Sequence, residues 1–552
     1  MGHVLRSYWL ASGLTLAVAA CGGEMDGEPT EDGSGAPGAD DGGDGPSTDD
    51  GSNGGPRPGG SSEPGGDDSP GSSNVAGSGS SPGGDGSNAG TPPSAGPTLP
   101  LPDAVMTFYV SSSMGDDAWS GSLPEPSGDG SDGPKASLEA ALELINGASP
   151  GTHVLLRKGD SWDANATLEV RTAVGTEEDP IVLGAYGEGE QPTIVSQHMG
   201  NTFTLRSSRT GPSHHFRLDD LHLTSASITR GQTAIYINES LHPELPHHLV
   251  FSKLTIEGNA TGITMYGNDH LVHGSRIANN TMGMGIYVMG NNVSFQYNEF
   301  ENNGLPPPDN LVHTLYISAC DGVLFEHNVV HSATDGLKVR RSHNGVYRYN
   351  TFYGIQAIGI HLGGDSMGGA INNRIESNLF YENSVGIVIK VEQGMQTELV
   401  DGLVIANNIL HTSASGFIEF GAHLVMTDVP AQNVSIVNNL LYDMIDDHGI
   451  SVQNSGPNIT VANNVVGKFT QGFAYNLDGA VGASNNLEFS SAAEFEALNL
   501  VDPAGFDFTP TADSTQLIDQ GTDVSDVMTT DYAGDPRPAG AGFDIGPYEY
   551  PE

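Results

Sequence analysis

Cysteine is almost missing from this chain: its 552 residues include two, Cys21 and Cys320. A disulfide framework is excluded, so the fold must rest on packing and hydrogen bonding. Basic residues are scarce too, 20 Lys and Arg against 68 Asp and Glu, for a formal net charge of −48. That excludes nucleic acid as a partner, because phosphate binding needs a basic footprint. The charge suits an exported, soluble surface. The apolar stretch Leu10 to Ala20 is too short to cross a bilayer as a mature helix.

What is abundant is glycine, with 75 residues. From Gly22 to about Leu101, Gly, Ser, Pro and Asp dominate, as in Gly77-Ser-Gly-Ser-Ser-Pro82. Such a segment has almost nothing to bury, so a disordered tether is expected over 21–103. Residues 1–20 have a charged start at Arg6 and a short apolar core, and end Val18-Ala19-Ala20 before Cys21. This resembles a bacterial lipoprotein signal, which implies lipidation of Cys21 and a membrane partner reached through a lipid anchor. Gly22 after the cysteine points to the outer membrane or the cell surface.

Eight asparagines then recur in one motif, Phe295-x-x-Asn298, Phe325-x-x-Asn328, Tyr347-x-x-Asn350, Ile375-x-x-Asn378, Ile405-x-x-Asn408, Ile436-x-x-Asn439, Val461-x-x-Asn464 and Ala483-x-x-Asn486. Their spacing of 22 to 31 residues marks a solenoid. A second motif, Gly-apolar-x-apolar, recurs once per coil, as in Gly285-Ile-Tyr-Val288, Gly336-Leu-Lys-Val339 and Gly359-Ile-His-Leu362. Its alternation sends apolar side chains inward and the middle residue outward. Three short strands per coil follow. Stacked asparagines at one turn explain the first motif, because Asn accepts the left-handed conformation and its amides bond from rung to rung.

Before the repeats, Thr107-Phe-Tyr-Val110 reads as a strand, and Ser137 caps a helix to about Asn146 with Leu138, Ala141, Leu142 and Ile145 on its apolar face. Pro150-Gly151 and the strand His153-Val-Leu-Leu156 follow. This order resembles the N-terminal entry of right-handed parallel β-helix proteins of the carbohydrate-active, pectin-lyase-like superfamily. The segment from Phe506-Asp-Phe508 to Phe543-Asp-Ile-Gly546-Pro-Tyr548 resembles their closing segment. The resemblance covers about 104–552. It implies an all-β, single-stranded right-handed parallel β-helix with an N-terminal capping helix, behind a disordered linker. The expected divisions are a cap and first coils over 104–200, the β-helix over 201–490 and the closing segment over 491–552. Nothing in the pattern requires a second chain, so a monomer is expected.

Aligning the outward positions of the Gly-apolar-x-apolar strands gives the column Thr264, Tyr287, Tyr316, Lys338, His361, Val388, with Tyr266, Met289, Ser318, Arg340, Gly363 and Lys390 two residues on. Lys338, Arg340, Arg341 and Arg348 fall within eleven residues of a chain poor in bases. Long segments flank the same strands: Gly304 to Asn310, Gly363 to Asn372, Val391 to Gly402, and Gly421 to Gln432 after a strand at Phe417. Clustered insertions on one face of a repeat protein mark a binding face. The chemistry suits an acidic polysaccharide. Arg340 and Lys390 pair with a uronate carboxylate, Lys338 or His361 removes the adjacent proton, and Tyr316 or Tyr287 protonates the leaving oxygen. Catalytic candidates are therefore Lys338, His361, Tyr316 and Arg340, with Tyr287, Lys390, Arg341 and Asp335 around the substrate, in a polysaccharide lyase or epimerase.

Two other readings stand beside this one. Glycoside hydrolysis needs two facing carboxylates, and Asp335, Asp365, Glu392 and Glu419 show no recognisable pair. A non-catalytic glycan-binding or structural surface protein is the reading from another class, since outward Lys, Arg and Tyr are ordinary on an exposed sheet. Calcium is the one cofactor considered, at Asp116-Asp117 and the Gly128–Asp132 loop. No metal site is assigned: His214-His215 and His247-His248 read as loop histidines without a partner set. Cys320 is expected to be a buried structural thiol.

Overall fold

The computed structural model describes residues 96–551, apart from 208–210, 230, 238–243, 282–284, 305–312, 365–366, 390–398, 412–423, 427–430, 445–448, 453–455, 469–474, 478 and 480. Cys21, the tether up to residue 95, Lys390, Asp365, Glu392, Glu419 and the Phe417 strand lie outside the described residues.

Three parallel sheets run along the stack. The first has 14 strands, from Met106–Val110 to Gly482–Ser484. The second has 13, from Ser161–Ala164 to Leu487–Phe489, and the third has 12, from Leu168–Val170 to Tyr475–Leu477. Each coil visits the first, second and third sheets in that order. Inward residues of the third sheet, such as Ile286, Val288, Leu337, Val339, Ile360 and Leu362, are all but fully buried. Phe300, Phe325, Phe352 and Phe380 stack ring on ring through the middle of the core. Burying a side chain of this size contributes roughly 2–3 kcal/mol, so the files of repeated residues are the main source of cohesion.

The helix forms where the sequence places it, at Leu138–Asn146, with the Ser137 hydroxyl accepting from the Ala140 amide. Leu138, Ala141 and Ile145 are buried against the first coils. Ordered packing starts a few residues ahead of the strand at Met106, because the Arg217 guanidinium donates to the carbonyls of Leu99 and Pro100.

The asparagine ladder lies at the corner between the first and second sheets, with each side chain turned into the core. Each Nδ2 donates to the next coil's Oδ1, from Asn298 to Asn328 at 3.0 Å through to Asn464 to Asn486 at 2.9 Å. The left-handed backbone expected at these asparagines is one position earlier: Tyr297, His327, Tyr349, Ser377, Asn407, Asn438, Asn463 and Asn485 have φ of 50–58°. The ladder residue follows the bend and points inward, where its amide satisfies buried backbone groups. Ser275 extends the file by one coil, its amide donating to Asn298 Oδ1.

The closing segment does more than cover the last coil. It runs back along the first-to-second corner, where Asn485, Asn463, Asn438 and Asn407 donate to the carbonyls of Gln520, Thr522, Asp544 and Gly546, and Thr530. Its Phe508, Leu517 and Ile545 bury the outer face of Leu440, Tyr442 and Val465. The column's strand after Val385–Ile389 is Leu424–Met426, which places Val425 where the sequence alignment had put the Phe417 stretch.

Candidate functional site

The third sheet fixes the register of the column residue by residue. Tyr236 pairs with Thr264, Thr264 with Tyr287, Tyr287 with Tyr316, Tyr316 with Lys338, Lys338 with His361 and His361 with Val388. The expected column is therefore the observed one, with neighbours about 4.8 Å apart along the stack. Tyr287 and Tyr316 stack at 5.6 Å between ring centroids. Lys338 Nζ is 2.7 Å from His361 Nδ1. Arg340 Nη1 donates to the Tyr316 hydroxyl at 2.9 Å, and Arg341 Nη2 to Ser318 Oγ at 2.9 Å. Tyr316 and Lys338 are only 5% and 4% exposed, whereas Tyr287, Arg340, Arg341 and His361 are half-buried. A ligand on this face meets that half-buried group first.

Several expected members sit elsewhere. Asp335 is 8% exposed and its carboxylate is already engaged, accepting from the Ile358 amide and facing His313 Nδ1 at 2.8 Å. It orients His313 rather than presenting itself to a substrate. The His313 ring in turn lies 5.7 Å from the Tyr316 ring. Sequence reasoning missed His313; the available signal was its place three residues before Tyr316, at the mouth of the same strand. Arg348 leaves the basic cluster altogether: it stands on the first sheet and holds Glu326 at 2.8 Å. Cys320 is the buried thiol expected, and burial pushes it up to about 11, out of range for a thiolate nucleophile.

The loops considered for calcium use their carboxylates on their own donors. Asp117 accepts from the amides of Ala136 and Ser137, and Asp132 from the amide and hydroxyl of Ser120. Asp129 is held at about 2, first by the Ser131 hydroxyl. Glu299, Glu301 and His331 also converge, but Arg276 lies among them, 3.4 Å from Glu299 and 2.5 Å from Glu301, so this group is an ion-pair network.

The histidine pairs correct the sequence reading most sharply. His214 and His247 are register partners on the first sheet, so the two pairs stack on successive coils. The His214 and His247 rings are stacked nearly parallel with centroids 4.8 Å apart, and those of His215 and His248 4.6 Å apart. Ring nitrogens of His215, His247 and His248 all fall within 4.8 Å of one another. Burial and the neighbouring His248 push His215 down to about 4.

Comparison with known proteins adds the family. The model of the right handed beta helix region matches residues 211–367 and 313–487, together just over half of the chain. The chain belongs to that family. Among solved β-helix structures it is similar to an alginate lyase of the PL6 family, at 15% identity and a TM-score of 0.44, over 64% of this chain and 50% of that one. It is also similar to the GH136 lacto-N-biosidase of Eubacterium ramulus, at 16% identity and a TM-score of 0.39, over 69% and 68% of the two chains. A lacto-N-biosidase of Bifidobacterium longum is 28% identical over 111 residues, which is 20% of this chain and 6% of that protein. The β-helix therefore matches half of the alginate lyase and a small part of the curated relative.

Proposed function

We propose that this β-helix protein is exported, held at the outer membrane or cell surface through a lipid on Cys21, and binds an acidic polysaccharide that it cleaves by β-elimination or epimerises. The observation that carries the reading is a pair of contacts on adjacent coils: Lys338 against His361 at 2.7 Å, and Arg340 on the Tyr316 hydroxyl at 2.9 Å. In an acidic chain, these bases gather where a polyanion would be recognised.

Arg340 and Arg341 pair with the uronate carboxylate, which acidifies the neighbouring C5–H. Lys338 or His361 takes that proton, and the two stand together, with Lys338 Nζ 2.7 Å from His361 Nδ1 and 3.2 Å from Nε2. The electron pair forms the C4–C5 double bond as the C4–O bond breaks. Tyr316 gives its proton to the leaving oxygen, and the Arg340 guanidinium stabilises the phenolate left behind. Returning a proton to the opposite face of C5 would give epimerisation instead. Tyr287, stacked beside Tyr316, offers a ring face to the next sugar.

A second reading is glycoside hydrolysis, favoured by the sequence match to a lacto-N-biosidase. One experiment separates the possibilities. The full chain is incubated with a panel of polyuronates, and both the unsaturated product and new reducing ends are followed. Lys338→Ala and His361→Ala are each expected to lower elimination by about 10²-fold or more. Reducing ends without the unsaturated chromophore would replace elimination with hydrolysis. Binding with no turnover in wild type or either variant would leave a glycan-binding protein.

A further inference from the structure

We propose that His215, His247 and His248, with His214 and Asp269 beside them, form a binding site for a borderline divalent cation such as Zn²⁺, clipping two consecutive coils together.

The first observation is conformational. At the corner between the third and first sheets, one residue per coil is left-handed. In the later coils it is Asp269, Asn292, Gly322, Asn344, Asn372, Gly402, Asn433 and Asn458, residue types that accept this conformation. In two successive coils it is instead His215, at φ 49°, and His248, at φ 52°. Side chains normally alternate along a strand. The bend breaks that alternation, so each histidine turns toward the one before it. His214 Nδ1 and His215 Nδ1 are 2.9 Å apart, and His247 Nδ1 and His248 Nδ1 2.7 Å apart. Parallel pairing then sets one pair over the other.

The second observation is the set of donors. Nitrogens of three of these rings already lie within 4.8 Å of one another. Asp269 is the next residue in the left-handed file, and its Oδ2 is 4.0 Å from His248 Nδ1, while Oδ1 accepts from Asn292. A tetrahedral ion with bonds of about 2.0–2.1 Å needs ligand nitrogens roughly 3.3 Å apart. Each close pair must open by about half an ångström and the two coils' rings must turn toward each other, movements that side-chain rotation supplies. Imidazole-rich ligand sets select Zn²⁺, Cu²⁺ or Ni²⁺ over Ca²⁺ and Mg²⁺. The site stands four register steps from Lys338, about 19 Å along the stack. It is thus separate from the polysaccharide reading, and each can fail without the other.

The test uses the full chain, purified without a histidine tag and stripped with a chelator. Calorimetric titration with Zn²⁺ is expected to show one equivalent bound and a raised Tm, with no response to Ca²⁺. Co²⁺ is expected to give the absorption bands of a four-coordinate site. In the double variant His215→Asn/His248→Asn the corner carries the residue that other coils use there. It is expected to fold and to bind Zn²⁺ at least tenfold more weakly. His247→Gln keeps both left-handed histidines and is expected to weaken binding as well. Stoichiometric binding absent from wild type, or equal in wild type and His247→Gln, would overturn the proposal and leave the rings as a packing device.

Discussion

Asn378 shows how much one buried side chain can carry. Its Oδ1 accepts from the amide and the side chain of Asn350, and its Nδ2 donates to Tyr347 O and Asn408 Oδ1. Asn378→Ala would strip partners from several buried groups at once, and each unsatisfied group costs about 1–3 kcal/mol. A loss of about 3 kcal/mol or more is expected in urea denaturation. Asp544 makes a prediction of a different kind. Burial, with Glu549 adding to it and Arg537 opposing, raises its carboxyl to about 6. The folded value lies above the ordinary 3.8, so its contribution to stability is full below about pH 4 and is lost as pH rises through 6. Asp544→Asn is expected to flatten that part of the Tm-against-pH curve. At this scale the sequence was readable where a residue repeats. Lys338 and His361 could be placed because strict alternation puts the middle residue of each motif outside. The histidine cluster could not, because two positive φ angles rotate His215 and His248 out of the alternation that the argument relied on.

Among the elements, the corners are more informative than the strands. The ladder's existence followed from spacing, but its geometry did not: the residue before each ladder asparagine bends, and that position has its own use. In early coils it holds an aromatic file, Tyr297, His327 and Tyr349, stacked at 4.8 and 5.1 Å. In late coils it holds asparagines whose amides grip the closing segment. Asn463→Gly keeps the bend and removes the amide that bonds Thr522, so it isolates the grip. A loss of about 1 kcal/mol is expected. Hydrogen exchange should show protection lost around Thr522 while the Asn464 amide stays protected. Nothing in the spacing of the segment after Leu500 announced this path, because its partners lie up to 154 residues away, as with Met528 and Arg374.

For the whole molecule, the expected anchor sets where any activity would be felt. Cys21→Ser is expected to move the protein from the membrane pellet to the soluble fraction and to abolish labelling by a fatty-acid analogue. The fold class was legible, because stacking one supersecondary unit repeats its chemistry at every coil. The flanking loops were marked by length alone, and length gives no register.

The ladder also has a direction. Each asparagine's backbone amide and Nδ2 are capped by the Oδ1 of the coil that follows, from Asn298 on Asn328 to Asn464 on Asn486. The backbone amide of each ladder asparagine is thus satisfied by its successor in the chain, while its Nδ2 also reaches back to a carbonyl of the coil before. A chain emerging from its N-terminus always ends in one unfinished rung, and each new coil finishes the one before it.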